Sequence, residues 1–280
     1  MTSGTKPAGL TWGLRGSGPD DIPVQAGLAG SGIDRASWAS STGRGVRVCV
    51  VDSGIEADHP GVGEVQGSYQ VVKDDSGCRV EQAEPADSCG HGTACAGIIR
   101  EAAPDCELYS VQVLGKGFGG TGEVLLAGLR WAVEQGFDVI NMSLSTTRPQ
   151  FVPALREMTD NAFFGRSVIV ASAHNTPVES FPWRFSSVIS VGSHQLEDPE
   201  LYLYNPSPPV EFFAQGQNVR VAWLNGSTIR TTGNSFATPR ISGMCARILA
   251  NYPRLTAFEL KTVLYQAAAN VQPDIQTSSV

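Results

Sequence analysis

Residues 46–52 read Val46-Arg-Val-Cys-Val-Val-Asp52, and Ser53-Gly54-Ile55 follows. Apart from Arg47 the run is apolar and mostly valine, so it predicts a short strand that ends at Asp52. Further runs of the same kind follow at 108–114, 139–144, 167–173 and 188–192. Between and after them lie stretches with helical spacing, at 92–100, 123–135, 153–164, 236–251 and 256–269. Strands alternating with helices of 10–15 residues imply βαβ crossovers, hence a mostly parallel twisted sheet between helices, an α/β fold. In such sheets sites form at the carboxyl ends of the strands. Asp52, the residues after Leu144, and Asn175 all stand just past predicted strands and are expected to converge on one edge.

A chain of 280 residues fits one large domain. Residues 1–40, rich in Gly, Ser, Pro and Asp, read as a loosely structured lead-in, and 41–280 as the folded domain. Only 17% of residues are charged while 31 are glycine, which suits a compact enzyme with many tight turns. The net charge of -7 argues against a nucleic-acid or anionic-membrane partner. No run of about 18 apolar residues predicts a membrane span. The N-terminus lacks a signal-like apolar stretch, so a cytoplasmic protein is expected, or a secreted one if a leader has been removed. Of the six cysteines, Cys49, Cys95 and Cys245 read as core residues. Cys78 and Cys89 lie in a polar stretch and could pair if oxidised. No Cys-x-x-Cys is present, and no metal or cofactor is expected.

Three glycine-flanked blocks carry candidate chemistry. They are Asp52-Ser-Gly, His91-Gly-Thr93, and Gly233-Asn-Ser235-Phe-Ala-Thr-Pro239. A serine hydroxyl becomes a useful nucleophile when a base takes its proton. A histidine does this near neutral pH, and a buried carboxylate fixes its tautomer. Singly, each block has a commoner explanation: a strand-end cap, a turn, a helix N-cap. Jointly, in the order Asp, His, Ser, they form a set.

With these blocks the chain resembles the subtilases, the subtilisin-like serine proteases, from about Gly45 to Ala269. Val139-Ile-Asn-Met-Ser-Leu144 is similar to that family's substrate-binding strand, 181–192 to the segment after its specificity pocket, and 237–239 to the residues after its nucleophile. The resemblance implies a subtilisin-like three-layer fold with Asp52, His91 and Ser235 as catalytic triad. It also implies Asn175 as the side-chain donor of the oxyanion hole. For substrate binding it implies Phe118, Gly119 and Gly120 as an extended edge that pairs with a peptide. It places Ser143, Leu144, Ser145 and His174 around the specificity pocket, and Glu179 and Ser180 at its floor.

Several positions depart from the family pattern. Asn234 stands where a threonine is usual, and His174 and Ser145 each replace a glycine. Gly122 replaces a tyrosine lid, so the fourth subsite is expected to be open. The short stretch at 97–104 leaves out the loop that wraps a tight calcium ion. Glu179 raises the expectation of a pocket for Arg or Lys. If its carboxylate points to solvent instead, Ser145 and His174 set a pocket for medium polar or apolar side chains. Gly115-Lys-Gly-Phe-Gly-Gly120 also matches the G-x-G-x-x-G dinucleotide fingerprint, with Asp138 downstream, but such patterns are common in so glycine-rich a chain. The absence of G-x-S-x-G around Ser235 argues against an α/β-hydrolase lipase or esterase.

The expected function is peptide-bond hydrolysis by a monomeric serine endopeptidase acting on a peptide or protein. A narrower form is a pathway-specific protease that trims a leader from a peptide product. The alternative of a different class is a catalytically silent, peptide-binding pseudoprotease.

Overall fold

The structure is a computed structural model and describes residues 14, 16–22, 24–26 and 33–273. Its strands are β1 Val24–Ala26, β2 Arg47–Asp52, β3 Gly67–Asp74, β4 Gly77–Gln82, β5 Glu107–Gln112, β6 Val139–Met142 and β7 Val168–Ser172. They continue with β8 Ile189–His194, β9 Tyr202–Tyr204, β10 Phe212–Gln215, β11 Val219–Trp223, β12 Ser227–Thr231 and β13 Val271–Pro273. The helices are α1 Ala36–Ala39, α2 His91–Ala102, α3 Gly122–Glu134, α4 Val152–Phe164, α5 Asn234–Asn251 and α6 Ala257–Ala267.

Nine strands form the main sheet in the order β4-β3-β5-β2-β6-β7-β8-β10-β9. All pairs within it are parallel except β3–β4 and β9–β10 at the two edges. The apolar run at 46–52 is thus a central strand. Its side chains alternate between two cores: Val48 and Val50 pack under α2, α5 and α6, while Cys49 and Val51 pack under α3 and α4. The same alternation separates Val168 and Val170 from Ile169 and Ala171 on β7. Both faces are covered, which is why these strands read as continuous apolar runs. The chain is α/β and three-layered, as the sequence indicates.

Within the 1–40 stretch, the described parts lie against the domain. The Leu14 N–H donates to the Ser193 carbonyl, β1 pairs in parallel with β13, and Trp38 is fully buried. Over Trp38 sits the Arg247 guanidinium, 5.5 Å from the ring centre and bonded to Glu200. The remainder of that stretch lies outside the described residues. Among the described residues all six cysteines are free thiols, Cys78 and Cys89 included, and no helix is long and apolar enough to cross a membrane.

The candidate active site

β2, β6 and β7 are neighbours, so their carboxyl ends bring Asp52, the 143–145 segment and the 174–175 turn to one sheet edge. A cavity of about 490 Å³ opens there, lined by His91 and Ser235 together with Ser143, Leu144, Ser145, His174 and Asn175. Asp52 lies beneath, fully buried.

His91 is the first residue of α2. Its Nδ1–H donates to Asp52 Oδ1 at 2.8 Å and reaches Oδ2 at 3.0 Å. With Nδ1 protonated, Nε2 is the basic nitrogen. Burial alone would press the imidazole below its ordinary range. The Asp52 carboxylate, the nearby Cys95 and the hydrogen bonds to both outweigh it and hold His91 well above 6.5. The helix can start at this point because Gly90 takes a left-handed φ of 91° and Gly92 comes close to the Gly54 carbonyl. A Cβ at position 92 would fall 2.0 Å from that oxygen.

Asp87 holds this corner together and escaped the sequence reading. Its Oδ1 accepts from Ser53 Oγ and from the N–H groups of Cys89 and Gly90. Its Oδ2 accepts from the N–H and hydroxyl of Thr93, which caps the first turn of α2. An Asp four residues before the histidine, followed by Ser and Gly, was the available signal.

Ser235 sits in the first turn of α5, and Pro239 lies one turn on. Proline has no N–H, so the Ser235 carbonyl loses its helical donor. Ser143 Oγ supplies one instead at 2.8 Å. Ser143 Oγ accepts in turn from Asn141 Nδ2, and Asn141 Oδ1 accepts from Ser242 Oγ. The nucleophile's turn is thereby tied to β6. On the other side the Asn234 N–H donates to Asn175 Oδ1 at 3.0 Å. An N–H can only donate, so the Asn175 carbonyl oxygen faces it and the Asn175 NH₂ remains as a donor. Asn234, replacing the usual threonine, also accepts from the Ser193 N–H and Oγ and donates to the Ala173 and His174 carbonyls.

Other sequence expectations fare differently. The substrate-pairing edge is shorter than expected. Phe118 ends a 3-10 turn, Lys116–Phe118, and only from Gly119 (φ -80°, ψ 135°) is the backbone extended. Gly120 and Gly122 line the cavity, whereas Gly119 does not. Gly122 packs against the Phe151 ring, from which a Cβ would fall only 1.9 Å away. The glycine therefore accommodates Phe151, and no lid arises from position 122. Ser180 is fully buried and stands behind the wall rather than in the cavity. Glu179 does not face the cavity at all. Its carboxylate is 66% exposed and ion-paired with Arg184 at 3.0 Å, so no acidic floor exists. Asp138, the acidic residue of the rival dinucleotide pattern, is occupied in accepting the Arg47 N–H at 2.8 Å. The sequence reading missed Trp223 and Thr231, which the β11–β12 hairpin brings to the cavity.

Among the described residues, one group of three ligand-type side chains has its atoms within 4.8 Å of one another: Asp52, His91 and Cys95. The Cys95 Sγ lies 4.0 Å from His91 Nδ1, and burial pushes its thiol up. Two of the three are already bonded to each other, so the group belongs to the site just described.

The Subtilase family model matches residues 43–279. Subtilisin DY of Bacillus licheniformis is 30% identical over 253 residues, which cover 85% of this chain and 89% of that protein. The major intracellular serine protease of Bacillus subtilis (strain 168) is 32% identical over 231 residues, covering 75% and 70% of the two chains. The fold is similar to that of a cold adapted subtilisin-like serine proteinase, with a TM-score of 0.64 and 24% identity over 92% of each chain. The chain belongs to the subtilase family, the subtilisin-like serine endopeptidases.

Proposed function

We propose that the chain hydrolyses internal peptide bonds of peptides or proteins, with Asp52, His91 and Ser235 as its triad. The observation that carries this reading is the pair of short bonds from His91 Nδ1 to Asp52, in a cavity that also holds Ser235 and Asn175. His91 Nε2 takes the Ser235 hydroxyl proton as Oγ attacks the scissile carbonyl carbon. The charge that gathers on the carbonyl oxygen is met by the Asn175 NH₂ and the Ser235 N–H. His91 then passes its proton to the leaving amine, and the C–N bond breaks. Water, deprotonated by the same nitrogen, releases the acyl group and restores Ser235. Asp52 keeps Nδ1 protonated and stabilises the imidazolium.

A fluorophosphonate probe tests this reading directly. It is expected to label Ser235 covalently in the wild type and to leave His91→Ala almost unlabelled. A wild-type protein that stays unlabelled and cleaves no peptide is the pseudoprotease.

A further inference from the structure

We infer that the cavity wall next to Asn175 selects a substrate residue whose side chain ends in a hydrogen-bond acceptor, a carboxylate or carboxamide. This means Glu or Gln on the acyl side of the cleaved bond. The inference rests on the hydrolase reading above. A residue whose carbonyl lies between Ser235 and Asn175 places its side chain against the wall built from the 143–146 segment and the 172–175 turn, where Ser145 and His174 line the cavity.

The polar groups at this wall are arranged as donors. The Trp183 indole is buried, and an indole N–H can only donate. It donates to Ser180 Oγ at 2.8 Å. Ser180 Oγ lies 3.0 Å from Ser145 Oγ, and in the free protein Ser145 donates to it. When an acceptor enters the cavity the relay can run outward: Trp183 N–H to Ser180, Ser180 O–H to Ser145, Ser145 O–H to the ligand. Each bond in such a chain polarises the next. At the same wall His174 Nδ1 accepts from the Thr176 N–H at 3.1 Å and lies 2.9 Å from Thr176 Oγ1. In the tautomer in which Nδ1 accepts from the Thr176 N–H, Nε2–H is the remaining donor of His174; Nδ1 also lies 3.2 Å from the Thr176 carbonyl.

Thr146 is joined through its backbone to Phe181, which fixes the wall. Glu179 is turned away and held by Arg184. A Lys or Arg side chain brings donors only and leaves the relay turned inward, as in the free protein. A Leu side chain would cover the Ser145 and His174 donors without replacing their water. A site built to hydrogen-bond a substrate group discriminates against analogues that lack it. Gln and Glu satisfy both donors.

The test uses fluorogenic peptides that differ only in the residue before the cleaved bond: Glu, Gln, Leu or Lys. The expected result is kcat/KM for Glu and Gln above that for Leu and Lys by about tenfold or more. Ser145→Ala and, separately, His174→Ala are each expected to lower the Gln-to-Leu ratio about fivefold to tenfold. Covalent labelling of Ser235 verifies that each variant is folded. If the labelled wild-type enzyme cleaves Leu or Lys peptides as fast as Gln, the inference is overturned and the hydrolase reading stands. The same holds if both variants keep the wild-type ratio. If Ser235 is never labelled and no peptide is cleaved, the hydrolase reading fails and takes the inference with it.

Discussion

At the base of the cavity Asp52 is fully buried and His91 and Ser235 are 7% and 8% exposed, with neighbours that fix them from several elements at once. Along the 174–179 segment the side chains are half or mostly exposed and bond chiefly within the segment, or, for Glu179, with Arg184 five residues away. The two regions adjoin one cavity yet are built on different terms. The base rests on strand ends and the first turns of two buried helices, so its geometry follows from the sheet. The rim rests on local contacts, so its side chains can change without disturbing the sheet. One region therefore sets the reaction, and the other is free to set which peptide is read.

The largest effect is expected at the base. Ser235→Ala or His91→Ala should lower turnover about 10⁶-fold, with the double variant little worse, as in subtilisin itself, whose triad acts as a unit. Steady-state rates on one good peptide decide this. Losses that multiply would show two independent sites and dissolve the contrast between base and rim. Next comes Asn175→Ala, which stands where base and rim meet. It should reduce kcat about 10²–10³-fold with KM little changed, the cost known for the corresponding donor in subtilisin. A rise in KM with kcat intact would assign Asn175 to binding, and so to the rim.

The pH profile sharpens the same division. Only neutral His91 is a base, and His91 is held well above 6.5. Protonation therefore sets in while the pH is still above that value, and kcat/KM should already be falling there as pH is lowered. Asp52→Asn removes the charge responsible, so the acid limb of whatever activity remains should move to lower pH. An acid limb at or below 6.5 in the wild type would contradict the buried pairing. The smallest effect is expected at Glu179. Because its carboxylate faces solvent beside Arg184, Glu179→Gln should leave the relative kcat/KM for Arg, Gln and Leu peptides within about twofold, as for a surface pair. A lost preference for Arg in that variant would restore the acidic floor.

What was legible in the sequence divides along the same line. The strands at 47–52, 139–142 and 168–172 and the helices between them lie within about two residues of their expected places, because burial on both faces leaves an unbroken apolar run. Asp52, His91 and Ser235 were legible through the glycines beside them, which the close approach of backbones requires. The bounds and pairing of the β3–β4 hairpin were not. Lys73, Asp74, Arg79 and Glu81 are partly or largely exposed there, and no apolar run marks an edge pair. The direction of Glu179 was hidden because it depends on Arg184, a partner that spacing does not reveal in a loop. Trp223 and Thr231 reach the cavity through the β11–β12 hairpin, which runs directly into the Gly233–Pro239 block but carries no motif of its own.

The proline one turn after the nucleophile has a mechanical consequence. A helix usually positions its residues through its own ladder, so a shift of the helix carries each of them along. Here the rung from Ser235 is absent, and its carbonyl is held by Ser143, a residue of the sheet edge. The nucleophile is thus referenced to the end of β6, which lies between the strand that ends at Asp52 and the strand that leads to Asn175. An alanine at position 239 would restore an N–H beneath that carbonyl and set the helix and the sheet in competition for it.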